Sequence, residues 1–545
     1  MKQSWFLIIL IYACANPIPP TGGPKDLDPP ILINTIPENK SLNFSGSEIT
    51  MEFDEYIKEE NLLTQLMITP NLSGPYSYRI NRTRIVLSFE QPFDSATTYT
   101  LNFREGIKDI TEGNVPPNLK FVFSTGNFLD SASVHGIVRS LMTKEVLEDI
   151  TVSLYNDPDT MTIFDGPPRY STLSNEQGEF TIENIKNGSY FIYSLDDQNR
   201  NLKLESRSEG YGFLEQSLIL NDSMPGLELF IFNLDTRPIV LQNSRPVGTN
   251  YELKFNKALA HYQLITDEQS IVSNLIDNHQ TLRIYYNKSI VDSLGIGFIT
   301  RDSLQQTLDS LVYVKFEEST RKPDKFSTNF NLKAGPVNKS WRASIKFNKP
   351  ITLVNYDSMY FRFDSLFSIP INASMLSTNY SNDEYIIALD FDDILANDSV
   401  HSNWVDPFEL IIAKGSFISI ENDTSSVIKR EYSFKDPKDF GIVGGTITTD
   451  FSSFNIQLVD KKFEIIDKIL VNSAEIKSYE FRNIAPGIYS IRVFVDENNN
   501  GIWDPGNIKL KTLPENIFLF FHNNVTTQEI NLRANWEQSG LDLAF

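Results

Sequence analysis

The chain of 545 residues contains little of what most enzymes and disulfide-bonded proteins depend on. A single cysteine, Cys14, excludes an intramolecular disulfide, so packing alone must hold the domains together. The five histidines are scattered without HxH or HExxH spacing, which disfavours zinc sites and histidine-based catalysis. Because no serine lies in a Gly-x-Ser-x-Gly motif and no glycine-rich phosphate loop is present, the sequence predicts a protein that is not an enzyme.

Positive charge and long apolar runs are also scarce. Lys and Arg number 48 against 70 Asp and Glu, which gives a net charge of −22 without any basic stripe. Since phosphate binding needs clustered Lys and Arg, the sequence predicts no nucleic-acid partner. After residue 13, no apolar run reaches the roughly 20 residues of a membrane-spanning helix. We therefore expect a chain that is anchored to a membrane rather than embedded in it.

The N-terminus has the features of a bacterial lipoprotein signal. Lys2 precedes a short apolar run at 5–13, whose length is typical of a signal-peptide core. The tetrapeptide Ile11-Tyr12-Ala13-Cys14 resembles a lipobox. We predict that the signal peptide, 1–13, is removed and that Cys14 receives a diacylglyceryl group and an N-linked acyl chain such as palmitate, a lasting anchor. The alternative is an ordinary secretory signal with an incidental cysteine.

A Pro- and Gly-rich stretch, 14–30, predicts a semi-rigid, polyproline-like stalk after the lipidated cysteine. Residues 31–126 then alternate apolar and polar side chains in short runs, as half-buried strands do. The clearest of these runs are 49–53, 84–89, 98–103 and 120–124. The sequence therefore changes from a stalk to a β-rich domain near residue 31.

This β-rich stretch resembles the bacterial Ig-like domain of S-layer proteins and of Bacteroidetes lipoproteins. The matching features are Pro29-Pro30, Phe53-Asp54-Glu55, Tyr99-Thr100-Leu101, Gly106-Ile107-Lys108-Asp109, Gly113-Asn114 and Phe123-Ser124-Thr125-Gly126. Two later segments repeat the arrangement around Phe53, with Phe255 and Phe347 in its place. The resemblance and the repeat predict an Ig-like domain at 31–126 and divergent Ig-like sandwiches at 236–333 and 334–436.

A second repeat relates two other parts of the chain. Residues 180–201 recur 299 positions later, so that Asp197 returns as Asp496. Both copies resemble the prealbumin-like sandwich of carboxypeptidase regulatory domains, by Gly136-Ile137-Val138, Gly178-Glu179-Phe180 and a Gly-x-Tyr. That family's active site belongs to another domain, so no catalysis is implied. We expect these sandwiches at 127–235 and 437–535, with 536–545 as a tail. The predicted fold class is all-β, with five tandem β-sandwich modules behind a lipoprotein signal peptide.

The best candidate site is the segment 496–504, DENNNGIWD. Oxygen-bearing side chains at its first, third and fifth positions, followed by Gly, match the start of a calcium loop. The candidate ligands are Asp496, Asn498, Asn500, the carbonyl of Ile502, and Asp504. Position twelve is Asn507 instead of Glu, so any affinity would be weak, about 10⁻⁴–10⁻³ M. The alternative is a hairpin turn with left-handed Asn and Gly residues. In the earlier copy Leu202 replaces Gly501, which disfavours calcium there.

The resemblance to Bacteroidetes outer-membrane lipoproteins implies a scaffold or interaction subunit of an envelope assembly, such as a machine for β-barrel biogenesis, secretion or import. Its expected partners are the membrane, through the lipid, and other envelope proteins. A glycan-binding or adhesive lipoprotein is the alternative. The first acidic residue after Cys14 is Asp26, which favours the periplasmic face of the outer membrane. Recurrent pairs such as Asp94-Ser95 look like O-glycosylation sequons of exported Bacteroidetes proteins, with ordinary turns as the equal alternative.

Overall fold

The computed structural model describes residues 25–72, 74–157, 162–205, 207–268, 270–286, 293–316, 324–395, 404, 406–473, 475–521 and 528–545. The predicted signal peptide, Cys14 and the stalk as far as residue 24 lie outside these ranges. None of the helices within them has the length and apolar character needed to cross a bilayer.

Strands dominate these ranges, and sheets packed around apolar cores confirm the all-β class predicted from the alternating runs. The chain divides into two compact units. The first holds the described residues up to 138, with 147–203 and 217–229, and the second holds 139–146, 204–216 and 230–545. The boundaries of the five predicted modules stay a prediction.

The first unit begins with three antiparallel sheets. Their elements are β1 Leu32–Ile36, β2 Glu48–Phe53, β3 Ile57–Glu59, α1 Leu62–Gln65, β4 Met67–Thr69, β5 Tyr76–Asn81, β6 Arg84–Phe89, β7 Thr98–Asn102, β8 Ile107–Asp109 and β9 Lys120–Ser124. The sheet orders are β1-β2-β6-β5, β4-β7-β9 and β3-β8. The four alternating runs of the sequence form β2, β6, β7 and β9, which confirms those strand predictions. Along β2, Ile49, Met51 and Phe53 enter the core, because alternate side chains of a strand face the same side.

The rest of the first unit supplies a second sandwich. The next elements along the chain are β10 Ala132–Ser140, β11 Thr151–Asn156, β12 Tyr170–Leu173, β13 Glu179–Ile185, β14 Gly188–Leu195, β15 Gly210–Phe213, β16 Leu218–Leu220 and β17 Ser223–Asn233. Strand β15 and the ends of β10 and β17 lie in the second unit. Within the first unit, β11 pairs with β12 and β14, β14 with β16, and β10 with β13.

The second unit continues with a long series of strands. They are β18 Leu241–Val247, β19 Asn250–Phe255, β20 His261–Ile265, β21 Ile271–Ile276, β22 Thr281–Tyr286, β23 Leu294–Arg301, β24 Thr307–Val314, β25 Thr328–Phe330, β26 Gly335–Val337, β27 Ser340–Phe347, β28 Ile351–Val354, β29 Met359–Arg362, β30 Ser368–Pro370, β31 Leu376–Thr378, β32 Glu384–Asp390, β33 Phe408–Ile412, β34 Phe417–Ser419, β35 Ile428–Phe434, β36 Gly441–Thr448, β37 Phe454–Asp460, β38 Ile465–Val471, β39 Ser478–Ile484, β40 Gly487–Val495, β41 Ile517–Leu519, β42 Ile530–Leu532, β43 Glu537–Gln538 and β44 Leu543–Ala544. Helix α2, Phe391–Leu395, and 3₁₀ turns at Tyr356–Ser358, Ala373–Met375 and Pro437–Asp439 complete it.

Two sheets of the second unit repeat the strand order of a sheet in the first. The orders β18-β19-β22-β21 and β25-β27-β32-β31 match β1-β2-β6-β5. Phe53, Phe255 and Phe347 are buried at the ends of the corresponding strands β2, β19 and β27. The residue after each of them accepts a backbone N–H: Asp54 from Ile31, Asn256 from Val240 and Asn348 from Ser327, at 2.7–2.9 Å. The repeat recognised around these phenylalanines is therefore one shared strand-and-turn structure.

Buried lysines follow this turn in the second unit. The Nζ atom of Lys257, which is 6% exposed, lies 2.6 Å from Oδ2 of Asp302. Lys349 is fully buried, and its Nζ lies 2.5 Å from Glu421 and 2.6 Å from Asp423. Lys257 has a single carboxylate partner, and removing the partner of a buried ion pair leaves an uncompensated charge, which costs about 3–5 kcal/mol.

The last ten residues belong to the C-terminal sheets. Within 536–545, strands β43 and β44 pair in parallel with β36. Leu541 and Leu543 are each 4% exposed and join the core of that sandwich. These residues, which the sequence analysis set apart as a tail, are thus held by packing as well as by backbone hydrogen bonds.

Candidate functional site

The predicted calcium loop starts where β40 ends, and Asp496 organises it. This side chain is 2% exposed. Its Oδ1 accepts the backbone N–H of Asn500 at 2.9 Å, and its Oδ2 accepts that of Gly501 at 2.7 Å. One carboxylate therefore folds the following residues back over the strand end, as a short polar side chain does in a turn.

The other predicted ligands join the same hydrogen-bond network. Oδ1 of Asn498 accepts the N–H of Asn500 at 3.1 Å, and Oδ1 of Asn500 accepts that of Ile502 at 2.7 Å. The side-chain amides of Asn498 and Asn500 both donate to Oδ2 of Asp504, the second at 3.0 Å. The structure thus brings the four side chains together, while the side chain of Ile502 is 67% exposed.

Glu515 completes this loop and was missed by the sequence analysis. It is 8% exposed, and its two carboxylate oxygens accept the backbone N–H groups of Glu497 at 2.9 Å and of Asp504 at 2.8 Å. Burial, together with the nearby carboxylates of Asp504 and Asp496, raises the pKa of Glu515. No spacing rule pointed to it, because it comes from the segment before β41 and outside the motif.

The loop presents many side-chain oxygen atoms, and these atoms accept hydrogen bonds from N–H groups of the loop itself. Asp496, Asp504 and Glu515 supply carboxylates, and two Asn residues supply amide oxygens, which are ligands that calcium prefers. In the described part of the chain, no group of three or more His, Cys, Asp or Glu residues is arranged to hold a metal ion. Calcium binding at Asp496, Asn498, Asn500, Ile502 and Asp504 therefore stays a prediction. Lipidation at Cys14 also stays a prediction, since that residue lies outside the described ranges.

The earlier copy of the loop has the same hydrogen bonds. Oδ1 of Asp197 accepts the N–H of Asn201 at 3.1 Å, and its Oδ2 accepts that of Leu202 at 2.8 Å. Oδ1 of Asn199 accepts the N–H of Asn201 at 3.0 Å, and Oδ1 of Asn201 accepts that of Lys203 at 2.8 Å. Each bond corresponds to one in the later loop, 299 residues on, so the internal repeat extends to the geometry of the turn.

The backbone angles match as well, although one residue type does not. Arg200 and Asn499 have φ of 58° and 59°. Leu202 has φ of 60° where Gly501 has 74°. A left-handed conformation is easy for glycine but costs another L-residue roughly 1–2 kcal/mol. The first copy therefore keeps the turn with a leucine at a position that favours glycine.

A buried glutamate accompanies both copies. Glu205, which stands 299 residues before Asp504, donates its backbone N–H to Oε2 of Glu209 at 3.3 Å. Glu209 is 1% exposed. It is thus the counterpart of Glu515, which receives the N–H of Asp504.

Residues 26–125 match a family model described as a bacterial Ig-like domain, in agreement with the resemblance noted for 31–126. With the observed sheets, the match defines an all-β protein of tandem sandwiches that includes a bacterial Ig-like domain. None of the curated proteins matches the chain.

The solved structures that resemble this chain share little sequence identity with it. The major pilin subunit BcpA of Bacillus cereus is 9% identical, with 76% of this chain and 99% of that chain covered and a TM-score of 0.15. A DUF3823 family protein of Bacteroides uniformis is 8% identical, with coverages of 34% and 100% and a TM-score of 0.12. The pilus adhesin RrgA of Streptococcus pneumoniae is 13% identical, with coverages of 37% and 31% and a TM-score of 0.13.

Proposed function

We propose that this protein is a non-enzymatic, lipid-anchored scaffold of the outer membrane, which holds partners in an envelope assembly. The observation that carries the proposal is that one pair of successive sandwiches in each unit is joined by polar contacts. A protein that presents binding surfaces at set positions needs such joints, because free linkers would let the modules reorient.

In the first unit the joint lies between the first and second sandwiches. The side-chain amide of Asn184 donates to Oγ1 of Thr100 at 2.9 Å. A guanidinium nitrogen of Arg169 lies 3.0 Å from Oδ2 of Asp94, and the carbonyl of Arg169 accepts the N–H of Asn71 at 2.9 Å. These bonds join β13 to β7 and the start of β12 to the end of β4, so they restrict rotation about more than one axis.

In the second unit, more deeply buried contacts join residues before position 334 to residues after it. Position 334 is the predicted boundary between the two divergent Ig-like sandwiches. Nδ2 of Asn274 donates to Oδ2 of Asp383 at 3.0 Å, and the two residues are 1% and 5% exposed. Nδ2 of Asn250 donates to Oε1 of Glu421 at 2.6 Å, and Tyr262 lies 3.2 Å from Oγ of Ser381. Buried polar bonds are costly to break singly, since each leaves an unsatisfied group.

The anchor and the location belong to the same proposal. Lipid on Cys14 would tether the chain to the outer membrane, with the periplasmic face favoured by the first acid being Asp26. Partners would be other envelope proteins, and edge strands of the sandwiches would be available for strand addition. A β-barrel biogenesis, secretion or import machine is the kind of assembly that the Ig-like lipoprotein resemblance suggests.

Affinity isolation from detergent-solubilised envelopes tests the scaffold. Full-length protein should be recovered with a fixed set of envelope proteins, and Cys14→Ser should move it from the membrane to the soluble fraction. Recovery of the wild-type chain alone, as a monomer, would contradict the scaffold. Membrane retention of the Cys14→Ser variant would contradict the lipid anchor.

Glycan binding is a second candidate, favoured by an exposed tyrosine beside a polar cavity. Tyr380 is 82% exposed and lies 6.2 Å from the ring of Tyr262. The adjoining cavity, about 240 Å³, includes His261 and Asp383 in its lining. A glycan array should give binding that Tyr380→Ala removes and Tyr313→Ala, on exposed β24, leaves intact. An array without signal would reject this candidate.

We also propose that the 496–504 loop binds calcium weakly. Asp496, Asp504 and the two Asn side chains are already within one network, and Glu515 adds a buried carboxylate beside it. A divalent cation would relieve the repulsion among these carboxylates. In the first copy, Asp197 is retained but Leu202 and Arg200 occupy the positions of Gly501 and Asn499, so we expect no calcium there.

A further inference from the structure

A cavity of about 250 Å³ lies in the first unit, between its two sandwiches. Its apolar lining comes from α1, β4, β12 and the first copy of the turn, and consists of Leu63, Leu66, Met67, Ile68, Leu173 and Leu202. Leu63 is 62% exposed and lies at the open side of the cavity. The cavity lies just below the range of about 300–1,000 Å³ that is typical of drug-sized ligands, so its size suits a smaller organic molecule.

Two arginines, Arg104 and Arg200, also line this cavity, together with two acids, Asp149 and Asp197. The side chain of Arg104 is 20% exposed, and its nearest carboxylate oxygen, Oδ1 of Asp149, is 3.6 Å away. That separation is too long for a hydrogen bond. Burial lowers the pKa of Arg104, although Asp149 opposes the change, and Arg200 lowers it further. Arg200 makes no side-chain ion pair within the described residues.

The other acid in the lining, Asp197, is directed towards the backbone of its own turn instead of forming an ion pair with either arginine. Both oxygens of Asp197 accept backbone N–H groups, from Asn201 and Leu202. Asp149 is on the surface, with its side chain 67% exposed. The cavity therefore combines an apolar wall with two incompletely paired cations, and a carboxylate matches a guanidinium in charge and planar geometry.

Four of the lining residues lie in the left-handed region of backbone conformation. Arg104, Asp149, Arg200 and Leu202 have φ of 48°, 57°, 58° and 60° and come from three separate loops. Each such residue costs on the order of 1–3 kcal/mol unless its surroundings compensate, and residues of this kind cluster at ligand sites. Leu202 is the clearest case, because the equivalent residue of the repeat is glycine.

We propose that this cavity is a binding site for a small organic carboxylate with a branched aliphatic body. The carboxylate would lie between Arg104 and Arg200, and the aliphatic part against Leu173 and Leu202. The site is independent of the scaffold role and of calcium. Its chemistry is shared by free short-chain acids and by the C-terminal carboxylate of an apolar peptide, and the probes below separate these two sources.

Saturation-transfer NMR on the full chain, at millimolar ligand, tests the site. The probes are 4-methylpentanoate, for a free acid, and N-acetyl-leucine, for a peptide end, each against N-acetyl-leucinamide, which lacks the carboxylate. At least one acid should bind, and the amide should bind about tenfold more weakly or worse. Stronger binding of N-acetyl-leucine assigns the site to peptide ends, and stronger binding of 4-methylpentanoate assigns it to free acids.

Variants locate the binding. Arg200→Gln, on the surface, should weaken the acid about tenfold without affecting folding, and Arg104→Gln should do the same where it folds. Arg79→Gln is the matched control, since Arg79 is 74% exposed on β5 and is not one of the residues that line the cavity; it should leave binding unchanged. Absence of binding by both acids, equal binding of the amide, or an undiminished signal with Arg200→Gln would each overturn the proposal.

Discussion

The two copies of one turn, 197–203 and 496–502, show how a repeated backbone structure carries different side chains. Each begins with an aspartate whose two oxygens accept successive backbone N–H groups. These bonds need only the aspartate and the backbone, so the side chains at the fourth and sixth positions are free to differ. In the first copy these are Arg200 and Leu202, and both line a cavity. In the second copy they are Asn499 and Gly501.

The comparison shows that the residues that form the turn differ from the residues that determine its surroundings. Asp197 and Asp496 form the turn, and the later acids, Glu209 and Glu515, bond to the chain just beyond it. The surroundings of the two copies differ. The later copy has Asp504 bridged by Asn498 and Asn500, whereas the earlier copy adjoins leucines and arginines.

The largest effect should come from Glu515. Glu515→Ala would leave the buried N–H groups of Glu497 and Asp504 without acceptors, and should lower the free energy of unfolding by about 2–4 kcal/mol. Urea unfolding followed by tryptophan fluorescence reports this, because the indole of Trp503 donates to the carbonyl of Glu515. Glu515→Gln, which keeps an acceptor, should lose about half as much; equal losses for both variants would show that the acceptor role is wrong.

The two aspartates should matter about equally. Asp197→Ala and Asp496→Ala each remove the acceptor of two backbone N–H groups, so each should cost about 1–2 kcal/mol locally. Amide hydrogen exchange should show faster exchange at Asn201 and Leu202 in the first variant, and at Asn500 and Gly501 in the second. If only one copy responds, the two turns are not equivalent.

Substitutions at the sixth position of the turn, Leu202 or Gly501, should change stability less than the substitutions above. Gly501→Ala places a side chain at φ of 74°, where the new Cβ would meet only Leu470 at ordinary contact distance, so the expected loss of about 1 kcal/mol is due to the backbone. Leu202→Ala keeps a left-handed non-glycine residue and should change the local backbone less. Thermal unfolding measures both, and a neutral Gly501→Ala would contradict the assigned strain.

A smaller contrast should appear with pH. Because burial raises the pKa of Glu515, the folded second unit binds more protons than the unfolded chain above about 4.3, the ordinary value for Glu. Its stability should therefore fall as pH rises from there through the raised pKa. Asp109 in the first unit behaves oppositely: burial opposes ionisation, but three backbone N–H groups outweigh it and lower its pKa.

For Asp109 the stabilising contribution is present above the ordinary pKa of about 3.9 and is lost as pH falls below it. Denaturation curves at several pH values measure how the free energy of unfolding depends on pH. Glu515→Gln and Asp109→Asn should each flatten the part of that dependence which its own carboxylate causes. A slope that survives its own substitution would reject that assignment.

Much of the fold was predictable because it depends on local patterns. Alternation located β2, β6, β7 and β9, since one sheet face must be apolar. The repeated phenylalanines anticipated sheets of one strand order, and the aspartate turn was visible as a motif. The parts that were missed depend on contacts between distant residues. Glu515 carries no spacing signal, and Arg104 meets Arg200 only after the two sandwiches of the first unit pack together.

The most direct test of the account is calcium binding by the two turns. Thermal unfolding of the full chain should be recorded with and without calcium at about ten times the expected dissociation constant, where one site stabilises by about 1.4 kcal/mol. Wild type and Asp197→Asn should both gain stability, and Asp496→Asn should gain none. A wild-type chain that does not respond, or a response that depends on Asp197, would contradict the division of roles between the two copies.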